Sequence, residues 1–293
     1  MVVVAWGLTW PVNKLILESL SPLWMAALRS AIATVALFLI AILRGRLVVP
    51  LRHDVPVLLS ITLLHMVGFV VLANIGLQLV PTGRSVVLAY TTPLWVTPGA
   101  WLLLGERLSA RRLAGVLAGV AGLVILFNPL AFDWTDRDAV LGNAAIVGAA
   151  VLWAGSILHI RAHRWHATPF ELVPWETLLA TAILVPVALL SENRPGVVWD
   201  VRLVLLMLYS AVPGTALAYW AIAMASRDLP AVTTSLGLLG TPVISLVVAT
   251  VWLGEAVTPS LVVAVLLILG GVALGSTVSA DRPLSPPVAG LRP

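Results

Sequence analysis

Ionisable side chains inside long apolar stretches are costly, and they usually face a protein interior or a wet cavity. Four stand in such stretches here: Arg29, His65, His159 and Glu176. Histidine titrates nearest neutrality, so His65, at mid-stretch, could carry a proton or a ligand contact, or pack as a neutral ring. Arg29 could brace neighbouring carbonyls or attract a carboxylate, and the cost of stranding its charge favours bracing. Arg29 lies seven residues past Pro22 and Glu176 seven past Pro169, each about 10 Å along its helix at 1.5 Å per residue. Entering an apolar layer of about 30 Å from opposite faces, the two differ in depth by about 10 Å, so no direct ion pair is expected. His159 sits near Arg161, His163 and His166, an interfacial basic cluster with no acid beside it in sequence. Neither a metal nor a cofactor is expected, since cysteine is absent and no phosphate-cradling glycine loop occurs.

The aromatic residues sort by depth. Trp24, Trp134, Trp165 and Trp199 fall at segment ends or in loops and read as an interfacial belt. Trp6, Trp10, Trp95, Trp101, Trp153, Tyr90, Tyr219 and Trp220 lie deeper, where large rings with a polar edge can stack on a planar ligand, pack between helices or face lipid. Thr9, Asn74, Gln78, Ser156 and Ser235 add uncharged hydrogen-bonding groups, for interhelical bonds or ligand contact. Pro93, Pro98 and Pro242 remove helical N–H groups and are expected to interrupt their helices. Glu106 and Glu255 close two helices at opposite faces and read as helix-end or gate-loop contacts.

The elements that carry these residues can be read from composition. Of 293 residues, 60% are hydrophobic and 10% charged, against about 25% charged in soluble domains. The mean hydropathy is +1.05. These values exclude a soluble globule, a disordered chain and a nucleic-acid-binding domain. A formal charge of +4 without a basic run offers nothing to a polyanion. A helical span needs about 20 apolar residues, and ten apolar segments occur: Val2–Ile16, Pro22–Leu43, Pro56–Leu79, Arg84–Leu104, Ala110–Phe127, Ala139–Ile160, Pro169–Leu190, Val201–Ser226, Ala231–Leu253 and Pro259–Ser279. Ser21-Pro22, Thr168-Pro169 and Thr258-Pro259 each set a capping hydroxyl before a proline at the first helical position. The first segment lacks a basic leader and a small-residue cleavage site, so it is not read as a signal peptide.

With the N-terminus inside, the inner loops and tail hold Arg44, Arg46, Arg52, Arg107, Arg111, Arg112, Arg161, Arg164, Arg227, Arg282 and Arg292. The outer loops hold Lys14, Arg84, Arg137, Arg194 and Arg202. The positive-inside rule then places both termini in the cytoplasm.

The two halves repeat. Leu20-Ser21-Pro22 answers to Ala167-Thr168-Pro169 at an offset of 147, as do Trp6 to Trp153 and Thr9 to Ser156. At an offset of 149, Pro81 matches Pro230, Thr92-Pro93 matches Thr241-Pro242, and Leu104-Gly105-Glu106 matches Leu253-Gly254-Glu255. Five passes per copy is an odd number, so the second copy enters the membrane from the other side. Inverted repeats place a binding site near the bilayer midplane between the copies. The expected fold is an all-α integral membrane protein of ten transmembrane helices in two inverted five-helix repeats, 1–132 and 133–279, with 280–293 a disordered cytoplasmic tail. Gly115, Gly119 and Gly122, like Gly270, Gly271 and Gly275, form small-residue faces for close packing or a dimer contact.

Trp6-Gly7-Leu8-Thr9-Trp10, Ser21-Pro22 and Ala27-Leu28-Arg29, then Thr91-Thr92-Pro93-Leu94-Trp95 and Leu104-Gly105-Glu106-Arg107-Leu108, resemble the EamA domain, and Gly240-Thr241-Pro242 with Leu253-Gly254-Glu255 repeat the likeness. The resemblance covers nearly the whole chain and points to the ten-helix group of the drug/metabolite transporter superfamily. It implies export of small metabolites, often amino acids, across the bacterial inner membrane, through a central cavity lined by helices 1, 3, 4, 6, 8 and 9. The second copy departs from the pattern with Glu176 where the first has Arg29. On this basis the ligand-contacting set is Trp6, Thr9, His65, Asn74, Tyr90, Trp95, Trp101, Trp153, Ser156, Tyr219, Trp220 and Ser235. The expected activity is secondary export of aromatic or large neutral amino acids by alternating access. A multidrug or lipid-precursor exporter of the same fold is the alternative. An enzyme would need an acid/base pair at one depth, which the sparse polar inventory does not supply. The expected partners are a small-molecule substrate and the lipid bilayer, without nucleic acid, and the oligomeric state, monomer included, is left open by the sequence.

Overall fold

The computed structural model describes residues 1–106, 108–127, 133–163, 166–192, 197, 199–221 and 237–276. Among them are ten helices: α1 Val2–Ile16, α2 Pro22–Leu43, α3 Val55–Leu79, α4 Thr82–Leu104, α5 Ala110–Phe127, α6 Arg137–Ala162, α7 Pro169–Glu192, α8 Val201–Ala221, α9 Gly240–Leu253 and α10 Pro259–Ser276. Eight are long and apolar enough to cross a membrane, and α1 and α9 are shorter apolar helices. The chain is an all-α membrane protein. The expected tail at 280–293, the end of the eighth apolar segment, the start of the ninth and Ser235 lie outside the described residues.

The helix starts reflect the local chemistry. Ser21 Oγ accepts the Trp24 N–H at 3.2 Å, and Thr258 Oγ1 accepts the Leu261 N–H at 3.2 Å. Thr168 and Glu171 cap each other reciprocally: the Thr168 N–H donates to the Glu171 carboxylate at 2.8 Å and the Glu171 N–H to Thr168 Oγ1 at 3.4 Å. Asp136 and Asp200 cap α6 and α8 singly, accepting the Ala139 N–H at 3.1 Å and the Leu203 N–H at 2.7 Å. The helix ends repeat as well. Gly105 and Gly254 take φ of 65° and 67°, the left-handed conformation that glycine adopts without a Cβ penalty. In each case the following glutamate N–H reaches back to a carbonyl, Ala100 O at 3.2 Å and Ala249 O at 3.3 Å.

The packing is symmetric under exchange of the two halves. α5 lies against α10, α2 against α7 and α4 against α9, each helix on its own counterpart. The α1–α9 contact recurs as α6–α4, α3–α6 as α8–α1, and α2–α8 as α7–α3. Side chains at equivalent positions meet at the α2–α7 seam: Ser30 Oγ donates to Thr177 O at 3.0 Å, and Thr34 and Thr181 hydroxyls lie 3.2 Å apart. At the α5–α10 seam, a Cβ on Gly271 would stand 2.4 Å from Gly115 O and 3.0 Å from Gly119 N, so backbones touch there as small residues allow.

Three helices are irregular, two of them at matched places. α3 is π-helical over Ile61–Phe69 and α8 over Val212–Leu217, the same stretch under the offset of 149. α4 breaks at Tyr90–Thr91, just before Pro93. Pro98, expected to interrupt the helix, instead sits inside the continuous turn run of Thr92–Leu104. Trp24, expected in the interfacial belt, is buried in the core built by α1, α2, α3, α7 and α8. Its helix start turns it inward.

A Gly271→Ala substitution should lower stability by about 1–3 kcal/mol through overpacking. The expected readout is a drop of several degrees in the melting temperature of the detergent-purified protein. An unchanged melting temperature would show that α5 and α10 are not in backbone contact.

Candidate functional site

One face of α1 carries Trp6, Thr9, Trp10 and Asn13, spaced as successive helical turns require. These residues line a cavity of about 90 Å³ together with Arg29 of α2, a face of α3 from His65 to Leu77, Tyr90 at the α4 break, Trp153 of α6, and Gly214, Thr215 and Tyr219 of α8. A water needs about 10–15 Å³ of such space, so the cavity has room for several waters or for a small ligand.

Its walls are rings. His65 stacks on Trp153 with centroids 5.2 Å apart and planes 10° off parallel. Phe69 leans on both, at 5.5 and 5.1 Å. Tyr90 meets Trp153 edge to face at 6.5 Å. Tyr219 meets Trp6 edge to face at 6.1 Å, and its hydroxyl lies 3.3 Å from His65 Nε2. Trp6 Nε1 donates to Gly214 O at 3.1 Å, inside the π-helical stretch of α8.

The repeat explains this arrangement. Trp6 and Trp153 are equivalent positions, and so are Gly214 and His65. Each tryptophan reaches across to the irregular helix of the other half. One finds a glycine carbonyl and the other finds an imidazole face. A Cβ on Gly214 would stand 2.5 Å from Thr9 Oγ1, so this site has room for no side chain.

Of the residues singled out in the sequence, Trp6, Thr9, His65, Asn74, Tyr90, Trp153 and Tyr219 come together at the cavity. Asn74 also donates to Pro22 O at 3.2 Å, and Thr9 to Ala5 O at 2.7 Å, so both serve packing as well. The structure places Trp95, Trp101, Ser156 and Trp220 elsewhere. Trp95 donates to Thr91 Oγ1 at 3.3 Å beyond the α4 break. Trp101 is 53% exposed on the outer side of α4. Ser156 is fully buried in α6 and does not line the cavity. Trp220 lies under the Arg44 guanidinium, 4.6 Å away, at the far end of α8. Ser235 lies outside the described residues. The sequence reading left out Asn13, Phe69, Gly214 and Thr215 and passed over Trp10, although Trp10 and Asn13 continue the helical stripe begun by Trp6 and Thr9. Arg29, expected to brace carbonyls, makes no hydrogen bond or ion pair among the described residues and lines the cavity instead.

Two charged clusters fix the ends. At one, Glu255 accepts the Thr82 and Gly83 N–H groups at 2.6 and 2.9 Å, and Lys14 Nζ donates to Leu77 O at 2.6 Å and Val80 O at 3.1 Å. At the other, the equivalents Glu106 and Arg161 pair at 2.6 Å, with Arg112 at 3.2 Å. The same end holds Asp54, which is fully buried. It accepts His163 Nε2 at 2.9 Å, the Ala167 N–H at 2.9 Å and the His166 N–H at 3.2 Å. Thus an acid does meet the histidine cluster, from a loop distant in sequence. Even so, no group of three or more such side chains converges to hold a metal among the described residues.

A ten-helix bundle with an aromatic chamber across the seam of its two halves is the architecture of a membrane transporter. The EamA-like transporter family pattern matches residues 1–128 and again 140–277. The chain belongs to this family. It is 30% identical over 205 residues to the aromatic amino acid exporter YddG of Ancylobacter novellus, covering 69% of each chain. It is 35% identical over 166 residues to a riboflavin transporter of Vibrio cholerae, covering 53% of this chain and 52% of that one. A solved crystal structure superposes with a TM-score of 0.67 at 24% identity, covering 96% of this chain and 98% of the other.

Burial alone would raise the Asp54 carboxyl. The hydrogen bonds from His163, Ala167 and His166 outweigh it and hold the group at about 2, below its ordinary 3.8. A carboxylate lowered in this way stabilises the fold above the ordinary value and loses that contribution as pH falls through about 2. Asp54→Asn should therefore melt several degrees below wild type, by a margin constant from about pH 5 to 8 that shrinks below about pH 4. A margin that instead grew on acidification would contradict the assignment.

Proposed function

We propose that the protein is an exporter of aromatic or large neutral amino acids, working by alternating access between two inverted repeats, 1–132 and 133–279. It would lie in the bacterial inner membrane with both termini cytoplasmic. The observation that carries the substrate reading is the ring-walled chamber. Trp6, Phe69, Tyr90, Trp153 and Tyr219 present apolar faces, and Thr9, Asn13, Asn74 and Thr215 set a few polar groups among them. Planar side chains gain most from such walls, through offset and edge-to-face contacts. The riboflavin transporter and the aromatic amino acid exporter are both named for ligands with flat rings. Two successive matches to one family pattern support the division into repeats. The excess of arginine in the loops and ends on one side supports the orientation.

The test is uptake in proteoliposomes. Labelled phenylalanine, tyrosine or tryptophan should equilibrate faster than in empty vesicles. Trp153→Ala, which removes the ring under His65, should raise KM about tenfold by deleting a stacking surface. Rates equal to those of empty vesicles would refute the amino-acid reading. Transport of lipophilic cations or polyprenyl lipids in their place would favour the multidrug or lipid-precursor alternative.

A further inference from the structure

Arg29 stands inside a membrane span, seven residues past the first residue of α2, and its side chain helps line the chamber. Among the described residues it has neither a hydrogen-bond partner nor an ion pair. Arg84, two residues into α4, differs. Its Nε donates to Asn143 Oδ1 at 2.7 Å, and its guanidinium lies over the Phe127 ring at 5.3 Å. Glu176 occupies the position equivalent to Arg29 on α7 and is buried, yet no ion pair joins them among the described residues. Thr62 Oγ1, at 3.4 Å, uses the Glu176 main-chain carbonyl, not its carboxylate. A fixed positive charge facing a cavity at membrane depth is costly unless something of opposite charge visits it.

We infer that Arg29 is the receptor for a carboxylate on the transported molecule, so that the chamber selects aromatic acids and amino acids over aromatic amines. The inference rests on the chamber being the substrate site proposed for amino acids. A guanidinium matches a carboxylate with two parallel hydrogen bonds, a geometry neither an ammonium ligand nor a neutral ring can use. The groups around Arg29 agree with this role. Arg29 lines the chamber together with the His65 imidazole and the Tyr219 hydroxyl, which themselves lie 3.3 Å apart. Beyond them stands Trp153, stacked on His65. A carboxylate held at Arg29 thus directs the rest of the molecule towards the ring walls. An aromatic amine in the same place would set its ammonium against the guanidinium.

The experiment uses the full chain in detergent and three matched probes: phenylalanine, 3-phenylpropionate, which lacks the amine, and phenethylamine, which lacks the acid. The two acids should raise the melting temperature of wild type in a saturable way, and phenethylamine should not. Arg29→Gln should weaken binding of both acids about tenfold or more, with Arg29→Lys intermediate. Equal binding of phenethylamine and 3-phenylpropionate to wild type would overturn the inference. So would undiminished acid binding by a folded Arg29→Gln, or no response of wild type to either acid. The wild-type comparison needs no variant, so a variant that fails to fold leaves the inference falsifiable. Binding of 3-phenylpropionate through Arg29 without uptake of phenylalanine would sink the amino-acid reading while leaving the carboxylate receptor standing.

Discussion

Backbone polar groups have no water to turn to in a bilayer, so a helix can be broken there only where protein or a wet cavity receives what the break frees. This constraint locates the chamber. Pro93 supplies no N–H for Ala89 O, and the Thr92 hydroxyl donates to that carbonyl at 2.8 Å instead. In α8 the Thr215 hydroxyl donates to Ser210 O at 2.8 Å, and Trp6 donates to Gly214 O. At one end, Lys14 receives the last carbonyls of α3 and Glu255 the first N–H groups of α4. The breaks in α4 and α8 border one space, and two of the side chains that repair them, Trp6 and Thr215, are also among its walls.

Duplication supplies the scaffold, and divergence makes the two sides of the chamber unlike. The seams where a helix meets its own counterpart, α2 with α7 and α5 with α10, use small or hydroxylated side chains that suit both partners. At the chamber the copies differ where difference has consequences. Gly214 lets Thr9 pack directly against the backbone, and His65 fills the matching place with a ring. Arg29 puts a positive charge on the chamber wall, while Glu176, at the equivalent position of α7, is buried and does not line it. A molecule lying in this space meets two unlike walls. It can therefore be held in one orientation although the surrounding helices are nearly twofold.

Much of this was legible in the residues. Hydropathy and the Ser-Pro and Thr-Pro pairs marked the spans, because helix starts are decided by local chemistry that sequence displays directly. The repeat was legible through Trp6 and Trp153, and through the two Leu-Gly-Glu endings. Facing was harder to read. Trp95 and Trp101 share α4 with Tyr90, but the break at Tyr90–Thr91 turns the helix, and a regular wheel drawn through it misplaces the residues beyond. Depth alone could not separate Trp220, under Arg44, from Tyr219, one residue earlier and inside the chamber. Trp10 and Asn13 were within reach, since they extend a stripe whose first members were already chosen. The contact of Asp54 with His163 was not, because it joins two loops far apart in the chain.

The chamber belongs to neither copy. Trp6, from the first half, hydrogen-bonds to Gly214 of the second, and Trp153, from the second, stacks on His65 of the first. Displacing one half against the other must alter both contacts together, and with them the shape of the space between. The end clusters span the same seam, with Glu255 on the start of α4 and Arg161 on Glu106. Because packed interfaces tend to exchange between discrete arrangements rather than deform smoothly, the proposed alternating access would move the two ends and the chamber as one mechanical unit. Walls contributed by both halves are what would let a bound molecule report its presence to that unit.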